Sequence, residues 1–165
     1  PWQYCDQTDR RGRQLRKGEV EEPQLVHTAF FEGDGTYLWP LLNVPLYFIE
    51  KELSRKIISI QRCKVNTLMY TPLYEDGLNH PVHADRNEPG WHSIIYYVTD
   101  GDNPTVFTDI KYPNLEHDES SYNIVNKVEP RKGRVVIFPS EIYHASTPTQ
   151  LKKRVAANYV VKFEK

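Results

Sequence analysis

A histidine and an aspartate stand two apart at His83-Ala84-Asp85, within the run from Asn79 to Asn87. Residues two apart on an extended segment point to the same side. An imidazole nitrogen and a carboxylate oxygen there can chelate one divalent metal. A third ligand would complete a two-histidine-one-carboxylate face, with positions left open for a co-substrate and for oxygen. His144 sits in Phe138-Pro-Ser-Glu-Ile-Tyr-His144, directly after an apolar strand and its turn. Ten residues further on, Arg154 opens another apolar strand. A cation there can point into a barrel interior. A buried guanidinium wants an anion, and a carboxylate can be held bidentately. His80 is the nearest rival ligand, but it lies three before His83, an odd offset that turns it to the opposite face of a strand. His92 opens an apolar strand and reads as structural or as cleft rim, while His27 and His117 read as incidental. Arg86 and Trp91 flank the loop after Asp85 and are candidates to meet a substrate.

These side chains need strands to hold them. Leu25–Phe31 reads as a buried strand, and Gly33-Asp-Gly35 as a turn. Asn43 is the expected cap of a helix near 44–54, with Pro45 in its first turn. Leu46, Ile49 and Leu53 would form its inner stripe, with Glu50, Lys51 and Glu52 facing out. From residue 57 onward the pattern is strands and turns: one or two segments over Ile58–Met69, a short extended run Asn79–Asp85, then His92–Val98, Thr105–Thr108, Tyr122–Val128, Arg134–Phe138, Ile142–Ser146 and Arg154–Phe163. Residues 109–122 read as a polar loop. Short strands at this spacing predict a sandwich or barrel.

The 165 residues suit one domain, 1–165, with a support region over 1–56 and a strand-rich core over 57–165. Net charge is -1, so no global field draws the chain to nucleic acid or membrane. Five cations in Arg10–Lys17 read as a solvated loop or a contact for an acidic partner. Cys5 and Cys63 offer no zinc spacing, and reduced thiols in a cytosol-like compartment are expected, with a single bridge as the alternative. No apolar run reaches membrane-spanning length. The chain opens on Pro1, as a trimmed sequence would.

His83-x-Asp85, His144 and Arg154, in this order on this strand pattern, resemble the iron(II)- and 2-oxoglutarate-dependent oxygenases, most closely the prolyl hydroxylase-like branch with its bacterial and phage relatives. The resemblance runs from about Arg62 to Phe163. It implies a mainly β chain with N-terminal helices and a double-stranded β-helix (jelly roll, cupin-like). It also implies that His83, Asp85 and His144 hold Fe(II), with O2 and 2-oxoglutarate as co-substrates and ascorbate as an optional reductant. Arg154 would pair with the distal carboxylate of 2-oxoglutarate. Tyr70 and Tyr97 look like tyrosines that hydrogen-bond the co-substrate, and Asn158 sits where a polar residue near the metal is expected. The implied activity is hydroxylation of a C–H bond, releasing succinate and CO2. The implied substrate is a prolyl or other residue of a peptide or protein; a free amino acid or small molecule is the alternative. Cytoplasmic location, or host cytosol for a phage-encoded chain, goes with it. The usual Gly-Gly turn after the Tyr96-Tyr97 strand is replaced here by Asp102-Asn103-Pro104, and an insertion separates Tyr70 from His83. Both departures touch the substrate side. A non-enzymatic, cupin-like metal-binding module is the competing reading, and the inward Arg154 argues against it. A nucleic-acid substrate lacks the basic face with stacking aromatics that it would need.

Overall fold

The computed structural model describes residues 1–5, 15–70, 77–113, 122–149 and 153–164. Its strands are β1 (Gln3–Cys5), β2 (Gln24–Phe31), β3 (Asp34–Gly35), β4 (Ile57–Met69), β5 (Trp91–Tyr97), β6 (Thr105–Lys111), β7 (Ile124–Val128), β8 (Val135–Pro139), β9 (Ile142–Ser146) and β10 (Lys153–Phe163). One helix among the described residues, α1 (Trp39–Leu53), lies between β3 and β4. The strands form two antiparallel sheets. The larger runs β1-β2-β4-β10-β5-β8 with β3 beside β2, and the smaller runs β7-β6-β9. This is a double-stranded β-helix.

The helix differs from its expected form. It starts at Trp39 with Leu38 as cap, so Asn43 and Pro45 lie inside it, and among the described residues the expected plurality of helices reduces to one. Pro40 in its first turn costs no hydrogen bond and presets the backbone, which is why the helix starts here. Trp39 also anchors this end, its ring 4.5 Å from that of Phe30. Leu46 and Ile49 are buried as expected, but Leu53 is 40% exposed because the helix runs out past the sheet.

β4 is one continuous strand, and its alternation organises the molecule. Cys63 and Val65 face α1, in a core with Ile94, Ala157, Tyr159 and Val161. Arg62, Lys64, Asn66 and Leu68 fall on the opposite face. β10 lies beside it with Arg154 opposite Leu68, Ala156 opposite Asn66 and Asn158 opposite Lys64. β5 continues the row, Tyr97 opposite Ala156 and Ile95 opposite Asn158. One face of the large sheet is therefore oily and packed, and the other is polar and looks towards the small sheet.

Residues 79–85 form isolated bridges and no full strand, Asn79 with Glu19 and His83 with His144. Residues 109–111, expected in a loop, extend β6. His117 and most of the basic run Arg10–Lys17 lie outside the described residues.

Cys5 and Cys63 are both buried free thiols. Burial pushes the Cys63 thiol up to about 12, against the smaller opposing effects of Arg62 and of a hydrogen bond with Tyr159. The thiolate is the reactive form. In mildly alkaline buffer, iodoacetamide is expected to leave Cys63 unmodified in the native protein and to alkylate it after denaturation. Peptide mass spectrometry reads this directly, and rapid native labelling would contradict the packing beneath α1.

Candidate active site

The two histidines are held by each other's backbone. His83 N donates to His144 O and His144 N to His83 O, both at 3.0 Å. That pairing ties the irregular 79–85 segment to β9 and brings the rings to 4.7 Å between centroids. Each ring is turned by its own chain. His83 Nδ1 lies 3.2 Å from Pro81 O, and His144 Nδ1 lies 3.0 Å from Ile142 O. A carbonyl only accepts, so each Nδ1 carries the hydrogen and each Nε2 keeps a lone pair for a metal. Asp85 Oδ2 lies 3.6 Å from His144 Nε2. Ligating atoms of His83, Asp85 and His144 all fall within 4.8 Å of one another. Two neutral imidazoles and one carboxylate suit a divalent first-row metal with open positions.

Asp85 is held on both oxygens. Arg62 Nη2 donates to Oδ1 at 2.7 Å. Ser93 Oγ donates to Oδ2 at 2.6 Å and Asn158 Nδ2 to Oδ2 at 3.0 Å. Burial raises this carboxyl, but Arg62, the two histidines and Ser93 together outweigh it and hold it far below the usual carboxylate range. Asp85 is thus an anion ready to ligate. Arg62 also donates to Asn158 Oδ1 at 3.1 Å, so the asparagine is fixed between the cation and the ligand.

A cavity of ≈ 90 Å³ opens between the sheets, lined by His83 and His144 at one end and Arg154 at the other. Arg154 is only 4% exposed. Its Nη2 donates to Thr105 Oγ1 at 2.8 Å, and its guanidinium lies 5.1 Å from the Tyr97 ring centre. Tyr97 is fully buried and its hydroxyl donates to the same Thr105 oxygen at 2.6 Å. Burial draws the Arg154 pKa down from its ordinary value, against a smaller opposing effect of Tyr97. Arg154 Nε is buried with no hydrogen-bond partner. Among the described residues no carboxylate pairs with this cation. A ligand carboxylate would satisfy both the charge and the orphaned N–H.

The structure therefore lines one cavity with His83, His144, Asn158 and Arg154, with Asp85 joined to the two histidines behind it and Tyr97 buried behind Thr105. It leaves Tyr70 out. β4 ends at Met69, and Tyr70 stands 51% exposed, away from the cavity lining. His80 is not a ligand, because Glu22 and Ser146 take both its ring nitrogens. His27, read as incidental, is buried and bonded to Pro1 O and Thr36 Oγ1. Arg86 stacks 4.1 Å over Trp91 and pairs with Glu88, which braces the loop after Asp85. Sequence reasoning missed Arg62, Ser93 and Thr105. The one signal for Arg62 is its even spacing with Ile58 and Ile60 in an extended segment, where a cation breaks an apolar row.

No protein-family model matches the chain, and no curated protein matches it in sequence. Solved structures do match in shape. An oxidoreductase of the 2OG-Fe(II) oxygenase family from Burkholderia pseudomallei is 13% identical, with 98% of this chain and 73% of that one covered at a TM-score of 0.65. A prolyl hydroxylase from Trichoplax adhaerens, in complex with a hypoxia inducible factor oxygen degradation domain peptide fragment, is 14% identical over 96% of this chain and 70% of its own, at 0.57. SnoK, a non-heme alpha ketoglutarate dependent carbocyclase from nogalamycin biosynthesis, is 14% identical over 92% and 68%, also at 0.57. Cavity, strand order and these likenesses agree: the chain has the double-stranded β-helix fold of the 2OG-Fe(II) oxygenases.

Proposed function

We propose that this chain is an Fe(II)- and 2-oxoglutarate-dependent dioxygenase that hydroxylates a C–H bond of a prolyl or other residue in a peptide or protein. The observation that carries the reading is the pairing of the His83–Asp85–His144 donor cluster with a buried, unpaired Arg154 in one cavity. A structural metal site would have no use for that second feature. Both features fit the groups named: three donors on one side of a divalent ion, and a cation with a free N–H for a carboxylate.

His83, Asp85 and His144 would hold the metal, and Arg154 with Thr105 would hold the far carboxylate of 2-oxoglutarate, with Tyr97 bracing Thr105 from behind. Bound there, Fe(II) with 2-oxoglutarate and O2 supplies the oxidising power that ends in succinate, CO2 and a hydroxylated C–H bond. Arg62, Ser93 and Asn158 keep Asp85 ionised and fixed in orientation. The polar row on β4 and the oily core behind it keep the sheet rigid under the site. A peptide substrate is supported by the likeness to a prolyl hydroxylase solved with a peptide. The likeness to a biosynthetic carbocyclase supports the alternative, a free amino acid or small molecule. Cytosolic action goes with the free thiols of Cys5 and Cys63. No described helix is long and apolar enough to cross a membrane.

The test is succinate release from 2-oxoglutarate by the Fe(II)-loaded protein in air, with proline-containing peptides and with free amino acids. Peptide-stimulated succinate and a peptide mass gain of one oxygen are expected. Failure to consume 2-oxoglutarate under any substrate would refute the oxygenase reading. Stimulation only by a free amino acid would move the substrate to the alternative.

A further inference from the structure

A cation stands against the metal-ligand cluster, held in a closed ring of hydrogen bonds. Arg62 Nη2 donates to Asp85 Oδ1 at 2.7 Å and to Asn158 Oδ1 at 3.1 Å, and Asn158 Nδ2 returns to Asp85 Oδ2 at 3.0 Å. Among the described residues Asp85 is the only carboxylate within ion-pair reach of Arg62. The Asp85 side chain is 3% exposed and that of Arg62 28%, so the pair is shielded on the carboxylate side. Arg62 Nε is buried as well, which withdraws part of the guanidinium from water.

Holding Asp85 in place does not require a charge there. Ser93 and Asn158 already engage Oδ2, and a neutral amide would serve at Oδ1. What an arginine adds over such a donor is its charge. With each Nδ1 carrying its hydrogen towards a carbonyl, the two histidines are neutral as ligands. Asp85 then supplies the only negative charge of the donor set, and Arg62 cancels it. A metal held here would sit among protein groups whose formal charges sum to zero. Any further positive charge on that metal is opposed by the guanidinium at short range, where water screens poorly.

We infer that Arg62 tunes the charge of the site through Asp85 and holds bound iron in its divalent state. This rests on the reading of His83, Asp85 and His144 as an Fe(II) site. Loss of that state in air is a one-electron step. Fe(II) gives an electron to O2, leaving Fe(III) and superoxide. The oxidised ion carries one more positive charge beside Arg62, so the guanidinium disfavours it relative to Fe(II). The proposed reaction starts from Fe(II), and a site that resists this step stays competent while it waits for substrate. A neutral side chain at position 62 could orient Asp85 but would not supply this bias.

The experiment measures the Fe(III)/Fe(II) midpoint of the iron-loaded protein without 2-oxoglutarate, by mediated redox titration with the Fe(III) electron paramagnetic resonance signal as readout. Arg62→Gln removes the charge and keeps an amide donor. It is expected to shift the equilibrium towards Fe(III) about tenfold, a midpoint lower by about 60 mV for one electron. Arg62→Lys keeps the charge and is expected to stay near wild type. Calorimetry with Mn(II) reads the site without a change of oxidation state, and its affinity is expected to hold or rise in Arg62→Gln. An unchanged midpoint in Arg62→Gln overturns the inference, and so does an equal drop in Arg62→Lys. A fall in Mn(II) affinity at constant midpoint is the mark of a residue that only positions Asp85, and overturns it too. Should Arg62→Gln fail to fold, Arg62→Met carries the same loss of charge. A wild-type protein that binds neither Fe(II) nor Mn(II) overturns the metal reading itself, and is told apart by appearing before any substitution is made.

Discussion

His83→Ala is expected to cut divalent-metal affinity by about 100-fold or more and to reduce succinate formation to background. The loss is large because only two of the three donors remain, and no other described His, Cys, Asp or Glu joins the cluster. His80, the nearest other histidine in the sequence, is engaged on both nitrogens by Glu22 and Ser146. The fold should survive. His83 anchors its segment through backbone bonds to His144 that alanine also makes. Calorimetry with Mn(II) reads the affinity, and a melting curve of the metal-free protein reads the fold. A variant that kept wild-type metal affinity would remove His83 from the site. A variant that lost metal because it no longer folded would be exposed by the melt.

Arg154→Met is expected to separate ligand binding from stability. The KM for 2-oxoglutarate should rise about 100-fold or more, since at least one charge-assisted contact and its orienting geometry go with the guanidinium. The melting temperature of the ligand-free protein should hold or rise. In most proteins, removing one half of a buried ion pair destabilises strongly. Here no described carboxylate forms the other half, Arg154 Nε has no partner, and burial works against the charge. Methionine fills similar space at no such cost. A strong fall in melting temperature would mean that Arg154 is a structural cation with a partner outside the described residues.

The sequence was most informative where chemistry and period coincide. The two-residue offset of His83 and Asp85, and the strands that deliver His144 and Arg154, could be read because side-chain direction on a strand follows parity. Three features escaped for physical reasons. Arg62 reaches Asp85 across the sheet from a strand 23 residues earlier, and parity does not reveal which inward groups meet. Tyr70 shares the parity of Arg62, Lys64 and Asn66, but β4 stops one residue before it, and strand ends are set by pairing with β10 that no local pattern encodes. α1 began earlier than its Asn43 cap signal because Pro40 and the Trp39–Phe30 contact won over a side-chain cap. The odd offset of His80 spoke against a ligand role, but its partners Glu22 and Ser146 come from opposite parts of the chain and no local pattern shows them.

The alternation along β4 also bears on which changes in chain length this protein can absorb. A single inserted or deleted residue near Val65 would exchange the strand's two faces beyond that point, sending Asn66 into the oil beneath α1 and apolar neighbours into the cavity. Changing a side chain in β4 tests one contact; changing its length by one reverses every later contact at once. Variation in length therefore belongs outside the strands, while β4 itself is free to vary only in identity.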